Sequence, residues 1–203
     1  MEMSEHEKQW LMDQGAEMIS DLGVKEGSSV IDFGCGKGRY TIPLSQVVGA
    51  NGNVLAVERD PAEIAVLRER LAVFGGQAPT EIVSSEDVQL QSVGDGTIDS
   101  LFAFDVLQYV ENWEVFFRSV RRVLKPGGRM HVYPAAVPHP DAVDIERVAL
   151  EIRRMGLQRG GKRHFRMMHN KDMVTDDVYT FSLSDVPGGS AEAEKEDCPT
   201  GKD

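Results

Sequence analysis

The chain has 203 residues, of which 41% are hydrophobic and 27% are charged, values ordinary for a globular protein. This length suits one well-packed domain with a tail and disfavours both two full domains and a largely disordered chain. No uncharged stretch approaches the roughly 20 residues needed to cross a bilayer, and the acidic residues 1–7 do not resemble a secretory signal. We therefore expect a cytoplasmic protein without a membrane span.

The net charge of −11 argues against a general nucleic-acid binder, whose affinity depends on neutralising phosphates. The charge is uneven, because residues 147–171 hold eight Lys or Arg against one acid, whereas residues 184–203 hold six acids against two lysines. The basic segment is either a solvated helix face and hairpin or a surface for an anionic substrate or partner. The composition of residues 184–203 predicts a disordered acidic tail.

Strands alternate with helices along most of the chain. The predicted helices are 4–22 with Ser4 as N-cap, 39–48, 60–74, 112–124 and 141–155. The predicted strands are 29–33, 53–58, 81–84, 98–104, 129–133 after a turn at 125–128, 164–168 and 178–183. This order predicts an α/β fold whose parallel, doubly wound sheet has helices on both faces and ends with antiparallel strands.

A glycine-rich loop closes the first strand, with glycines at positions 34, 36 and 38. Without side chains, these residues let the backbone pass very close to a ligand. A dinucleotide fingerprint would need glycine where Arg39 stands. A phosphate-binding P-loop would need Ser or Thr directly after Gly36-Lys37, where this chain has Gly38. Neither nucleotide motif is satisfied.

From about Lys25 to Tyr133 the chain resembles class I S-adenosylmethionine-dependent methyltransferases of the small-molecule, quinone-biosynthesis-like branch. The loop from Asp32 to Gly38 is similar to their D/E-x-G-x-G-x-G motif, and Glu58 ends the second strand where the family has an acid. The resemblance implies a Rossmann-like, seven-stranded sheet, mostly parallel with an antiparallel last strand. It also implies a single domain, 1–183, followed by the tail 184–203.

The resemblance further implies which residues hold S-adenosylmethionine. Asp32 and the loop would hold the methionyl end, Glu58 the ribose, and Val88 with an acid beside it the adenine; Glu86 and Asp87 both fit that acid, and the choice stays open. The implied cofactor-binding residues are Asp32, Gly34, Cys35, Gly36, Gly38, Tyr40, Glu58, Arg59, Glu86, Asp87, Val88, Phe104 and Asp105. We interpret Cys35 as a small loop residue rather than a redox centre, and no metal site is predicted.

The implied reaction moves the sulfonium methyl group to a small-molecule acceptor and leaves S-adenosylhomocysteine, chiefly by proximity and orientation. Catalytic candidates are Asp105, Tyr109 and His139, although Tyr109 equally suits a core aromatic. The other two histidines weighed, His131 and His164, are interpreted as packed or surface residues. The alternative function is a non-catalytic S-adenosylmethionine-binding or scaffold protein of the same fold.

The family usually builds a substrate lid from its first helix, here within 1–24, and from the region 134–146. Both segments are short in this chain, so the resemblance implies either a shallow open site or closure by a partner subunit. The acceptor, the oligomeric state and the use of a general base are left open.

Overall fold

A computed structural model describes residues 3–84, 90–134 and 143–183. The helices are α1 (Glu5–Gln9), α2 (Gly15–Asp21), α3 (Thr41–Val48), α4 (Pro61–Phe74), α5 (Trp113–Val123) and α6 (Ile145–Arg154), with a π-helical turn at Trp10–Gln14 and a 3-10 turn at Leu107–Tyr109. The strands are β1 (Ser29–Phe33), β2 (Asn53–Glu58), β3 (Thr80–Ser84), β4 (Ile98–Phe104), β5 (Leu124–Tyr133), β6 (Leu157–His169) and β7 (Asp172–Leu183). No helix in these three ranges is long and apolar enough to cross a membrane.

Seven strands form one sheet in the order β3-β2-β1-β4-β5-β7-β6. The pairings from β3 through β5 are all parallel, and β7 runs antiparallel to both of its neighbours, β5 and β6. The predicted sheet, mostly parallel with an antiparallel last strand, is therefore confirmed. The strand order reverses at β1, and in open α/β sheets ligands bind in the crevice at such a point.

Alternate residues of β4 belong to two separate hydrophobic cores, one on each face of the sheet. On β4, Leu101 and Ala103 pack with α5 and α6, whereas Phe102 and Phe104 pack with the N-terminal helices and α3. Both faces of the strand are thus buried, which explains why residues 98–104 are mostly apolar rather than alternating. The predicted helices on both faces are confirmed.

The predicted first helix, 4–22, is observed as α1, the π-helical turn and α2. Its predicted cap is confirmed, because the Glu7 amide donates to Ser4 Oγ at 3.1 Å. Trp10 and Leu11 are fully buried, and Trp10 Nε1 donates to the Arg39 carbonyl at 2.7 Å. This segment therefore packs into the core beside the glycine loop, and a further role as a substrate lid stays a prediction.

The predicted bounds are wrong where the chain is exposed or bulged. The last two strands were expected at 164–168 and 178–183, but β6 and β7 form a far longer hairpin. Most of β6 faces solvent, so its sequence lacks the apolar pattern from which a strand is predicted. The predicted turn 125–128 is a bulge inside β5, since Leu124 pairs with Ile98 and Arg129 with Ser100. Helix α3 begins at Thr41, two residues after its predicted start.

Helix α6 begins at Ile145, with Asp144 Oδ1 accepting from the Glu146 amide at 2.9 Å. The first two residues of the predicted helix 141–155 lie outside the described residues. The predicted tail 184–203, which contains Cys198, also lies outside them.

Candidate functional site

A cavity of about 440 Å³ opens at the carboxyl ends of β1, β2 and β4. Its volume falls within the roughly 300–1,000 Å³ typical of small-molecule sites. The predicted site residues that line it are Gly34, Gly36, Glu58, Arg59, Asp105 and Tyr109. Residues from three separate segments of the sequence therefore meet at one crevice.

The glycine loop turns on backbone angles that favour glycine. Gly34, Gly36 and Gly38 have φ angles of +75°, +51° and +83°. A Cβ on Gly34 would collide with the side chain of Val106, and one on Gly38 with that of Leu67, whereas a Cβ on Gly36 would meet nothing nearer than a Glu63 oxygen at 3.7 Å. Packing therefore requires two of the glycines, and the third presents open backbone to the cavity.

Glu58 joins the end of β2 to this loop. Its Oε2 accepts from the Gly36 amide at 2.9 Å, and its Oε1 accepts from the amides of Arg59 and Asp60 at 2.8 and 2.9 Å. Hydrogen bonds to a carboxylate are stronger than those between neutral groups. Three of them fix the Glu58 carboxylate in the cavity wall.

Asp32 lies beneath the loop and does not line the cavity. Its side chain is 2% exposed, and the Thr41 hydroxyl donates to Asp32 Oδ2 at 2.6 Å. Burial raises the pKa of Asp32 to about 7, with the Glu58 charge adding to the rise and the Thr41 hydrogen bond opposing it. A carboxyl of this kind beside a cavity is typical of a functional site.

Two other predicted site residues, Cys35 and Tyr40, do not line the cavity. Cys35 is buried against Leu67, and burial raises the pKa of its thiol, which agrees with a small packed residue rather than a redox centre. The Tyr40 hydroxyl donates to the Met168 carbonyl at 2.6 Å, and the Tyr40 ring meets Phe104 edge-on at 4.7 Å. Burial raises the pKa of Tyr40 well above its ordinary value.

Asp105 follows β4 with a φ angle of +52°, uncommon for a residue with a side chain. Gln108 Nε2 donates to Asp105 Oδ1 at 2.7 Å, and Asp105 Oδ2 lies 3.5 Å from His169 Nδ1. Sequence reasoning missed His169. Its only sequence signal is its position directly after the predicted strand 164–168.

The cavity has an acidic lining that the sequence reasoning found only in part. Besides Glu58 and Asp105, it includes Asp60 and Glu63, both at the start of α4, where a helix start was predicted without a role in a site. Arg59 is the basic lining residue in the described part of the chain. Acids thus outnumber bases, which favours a cationic ligand.

Tyr109 is 56% exposed, so its interpretation as a core aromatic is wrong. The Arg59 guanidinium lies 5.9 Å from the centroid of the Tyr109 ring, a cation–π arrangement at the mouth of the cavity. Four predicted site residues lie outside the described residues: Glu86, Asp87, Val88 and His139. The choice between the two acids therefore stays open.

The other two histidines agree with their interpretation. His131 is fully buried, with Nδ1 3.0 Å from Thr180 Oγ1, and burial lowers its pKa to about 3. His164 is exposed and lies 3.0 Å from Asp177. Within the basic segment 147–171, several side chains pair with acids at the surface: Arg154, Arg159, Lys162 and Arg163. Binding of an anionic substrate or partner there stays a prediction.

The sequence matches known proteins over much of its length. The model of a family described as "Methyltransferase domain" matches residues 31–132. A curated relative, the ubiquinone/menaquinone biosynthesis C-methyltransferase UbiE of Cellvibrio japonicus, is 31% identical over 121 residues, which are 60% of this chain and 48% of the relative. The chain thus spans about half the length of that relative.

The fold also matches solved structures. A SAM-dependent methyltransferase from Aquifex aeolicus superposes with a TM-score of 0.68 at 22% identity, covering 86% of this chain and 91% of that one. The cyclase SpnF superposes with a TM-score of 0.66 at 14% identity, covering 85% and 80%. The Rossmann-like fold is therefore established, but one fold hosts different reactions, so the reaction has to be argued from the site.

Proposed function

Because this chain belongs to the methyltransferase-domain family, with the fold of class I S-adenosylmethionine-dependent methyltransferases, we propose that it methylates a small-molecule acceptor. S-adenosylmethionine is the cofactor of this family, and S-adenosylhomocysteine would be released. A relative that matches about 60% of the chain is named as a C-methyltransferase of quinone biosynthesis, which supports a small molecule as the acceptor.

The observation that carries the proposal is an acidic cavity directly above an open glycine loop. S-adenosylmethionine bears a positive sulfonium and a positive ammonium group, whereas a dinucleotide bears a negative pyrophosphate. Four carboxylates line the cavity against the single base Arg59 in the described part of the chain: Glu58, Asp60, Glu63 and Asp105. Such a lining attracts the sulfonium cofactor and repels the dinucleotide.

The residues present fit the parts of this cofactor. Gly36 leaves space for the methionyl group beside its backbone. An ammonium group near Asp32 would favour loss of the proton from its carboxyl, which gives the ammonium a negative partner. The Glu58 carboxylate offers about four acceptor positions, of which three receive backbone amides. The remaining one would accept from a ribose hydroxyl of the bound cofactor, and a second hydroxyl would replace one of the amide contacts.

The bound cofactor supplies a methyl group that is already electrophilic, so the chain contributes orientation and exclusion of water. Loop 34–38 and Glu58 hold one side of the cavity, and Asp105 and Tyr109 form the other. The exposed pair Arg59 and Tyr109 also lines the cavity. An acceptor then meets the methyl group near the end of β4.

Calorimetric titration tests the cofactor assignment. We expect S-adenosylmethionine and S-adenosylhomocysteine to bind the wild-type protein, and Glu58→Gln to weaken both by about tenfold or more, because a charged acceptor in a buried hydrogen bond contributes about 1.5–3 kcal/mol. Glu114→Gln is the matched control, since Glu114 pairs with Arg118 on the exposed face of α5. Its affinity should stay within twofold of wild type.

The same titration gives the outcomes that count against the proposal. Absence of S-adenosylmethionine binding, tighter binding of NAD, or unchanged affinity in Glu58→Gln would each contradict it. A radiolabelled methyl group that binds with the cofactor but moves to no small-molecule acceptor would favour the non-catalytic alternative.

A further inference from the structure

Asp105 and His169 face each other at the edge of the sheet, with Asp105 Oδ2 and His169 Nδ1 3.5 Å apart. His169 is the last residue of β6. Two successive antiparallel pairings, β5 with β7 and β7 with β6, make β6 parallel to β5, so β6 ends at the same edge as β4. The two side chains are 33% and 22% exposed, so the pair is partly desolvated and still reachable.

The neighbours of His169 indicate which ring nitrogen carries the proton. Asn170 Nδ2 lies 2.9 Å from His169 Nε2, and because an amide nitrogen only donates, Nε2 accepts. The neutral ring then carries its proton on Nδ1. That atom is buried and has no hydrogen-bond partner among the described residues. The Asp105 carboxylate faces it, and a closure of about 0.5 Å would give an ordinary hydrogen bond.

Each member of the pair is also held from another side. The rings of His169 and Tyr133 meet edge-on at 5.7 Å, and Gln108 Nε2 donates to the other oxygen of Asp105. Asp105 lines the cavity proposed for the cofactor. Asp105 therefore connects His169, which does not line the cavity itself, to the proposed site.

We propose that His169 is the general base of the methyl transfer and that Asp105 is the positioning residue that holds its tautomer. This inference rests on the proposed function. As the acceptor oxygen bonds to the methyl carbon, the electrons of the carbon–sulfur bond stay on sulfur, and the acceptor's O–H proton passes to His169 Nε2 in place of the Asn170 contact. The imidazolium then releases this proton to solvent, so no oxidant or reductant is needed.

The base also defines a class of acceptor. A neutral imidazole is a weak base, and general-base catalysis is most effective for acids of comparable strength. Acidic hydroxyls such as those of phenols, with a pKa of about 10, and enols suit it better than aliphatic alcohols. A thiolate or a tertiary amine has no proton to lose and would gain nothing from this residue.

The kinetic test compares three variants with radiolabelled S-adenosylmethionine and a panel of phenol, catechol and 4-hydroxybenzoate. His169→Gln should lower kcat by about 100-fold or more and remove the rise of kcat with pH, while KM for S-adenosylmethionine stays within twofold. Asp105→Asn should lower kcat at saturating cofactor by at least about tenfold. His164→Gln is the matched control, because His164 lies on β6 like His169 but is exposed and pairs with Asp177 of β7.

The pH readout must be assigned to His169 among its neighbours. The titratable and charged groups around it are Asp105 after β4, Tyr133 on β5, Lys171 in the adjoining turn and Asp172 opposite on β7. A rise of kcat with pH that His164→Gln keeps and His169→Gln loses belongs to His169. Unchanged kcat in His169→Gln, or transfer to none of the phenols, would overturn the inference.

Nitrogen-15 spectra of the histidines give a second readout without cofactor or acceptor. Wild-type His169 should show the Nδ1–H tautomer, and Asp105→Asn should shift the ratio toward Nε2–H while the His164 signals stay in place. An Nε2–H tautomer in the wild type that Asp105→Asn leaves unchanged would also overturn the inference. If the wild type binds no S-adenosylmethionine, the proposed function fails instead, and calorimetry separates the two results.

Discussion

Gly34 and Gly27 both have φ angles near +80°, at +75° and +79°, yet their surroundings differ. A Cβ on Gly34 would collide with Val106, whereas a Cβ on Gly27 would meet nothing within 4 Å. We expect Gly27→Ala to lower the free energy of unfolding by about 1–2 kcal/mol through backbone strain alone. Gly34→Ala should lose a further 1–3 kcal/mol, roughly, through overpacking. Equal losses in urea denaturation would show that the contact between the loop and Val106 is easily relaxed.

Asp32 makes stability depend on pH in the direction opposite to that of most acids. The unfolded chain loses this proton near the ordinary pKa of 3.8, whereas the folded protein keeps it until about 7. Between these values the folded state holds the extra proton, so stability falls as pH rises from about 4 to about 7 and levels off above that.

Asp32→Asn should remove this contribution while keeping an acceptor for the Thr41 hydroxyl. The difference in free energy of unfolding, Asp32→Asn minus wild type, should increase by on the order of 3–4 kcal/mol from pH 4 to pH 8, because only the wild type loses stability over this range. Urea denaturation of both proteins across this range gives the comparison. A constant difference would mean that Asp32 ionises in the fold as readily as in the unfolded chain.

Among the elements, the N-terminal helix is held to the glycine loop by buried charges. Glu7 is 4% exposed, and its Oε1 lies 3.2 Å from Arg39 Nε and 2.9 Å from Arg70 Nη2. Arg70 also donates to the Lys37 carbonyl at 3.2 Å. Helices α1 and α4 therefore both support the loop, which links the packing of the first helix to the shape of the site.

Glu7→Gln should be strongly destabilising, because it leaves the buried guanidinium of Arg70 without a neutralising charge. We expect a loss of about 3–5 kcal/mol in the free energy of unfolding. Glu5→Gln, on the same helix, is the matched control: its side chain is 73% exposed and lies 3.7 Å from Lys8. The control should change stability by less than about 1 kcal/mol. Similar small losses in both variants would argue that α1 is only loosely attached.

In the whole molecule, the direction of the strands decides which residues meet. Parallel strands place Gly34, Glu58 and Asp105 at one edge, although 71 positions separate the first from the last. The insertion of β7 between β5 and β6 brings the end of β6 to that same edge, and with it His169. The hairpin thus supplies a residue to a site otherwise built from the parallel half.

The sequence by itself determined the parallel sheet, the two-faced core and the glycine loop. Each of these depends on patterns within a few residues: the apolar run of β4, the capped start of α4, and alternate glycines after a buried strand. Glu58 and Asp105 were predicted as site residues from the family resemblance, and their places agree with it, because Glu58 ends β2 and Asp105 directly follows β4, two parallel strands whose ends share an edge. Only the tertiary structure decided the contacts of Glu7 with Arg70 and of Asp105 with His169, and the full length of the exposed hairpin. Such contacts join residues far apart in the chain, and local periodicity carries no information about which distant side chains will meet.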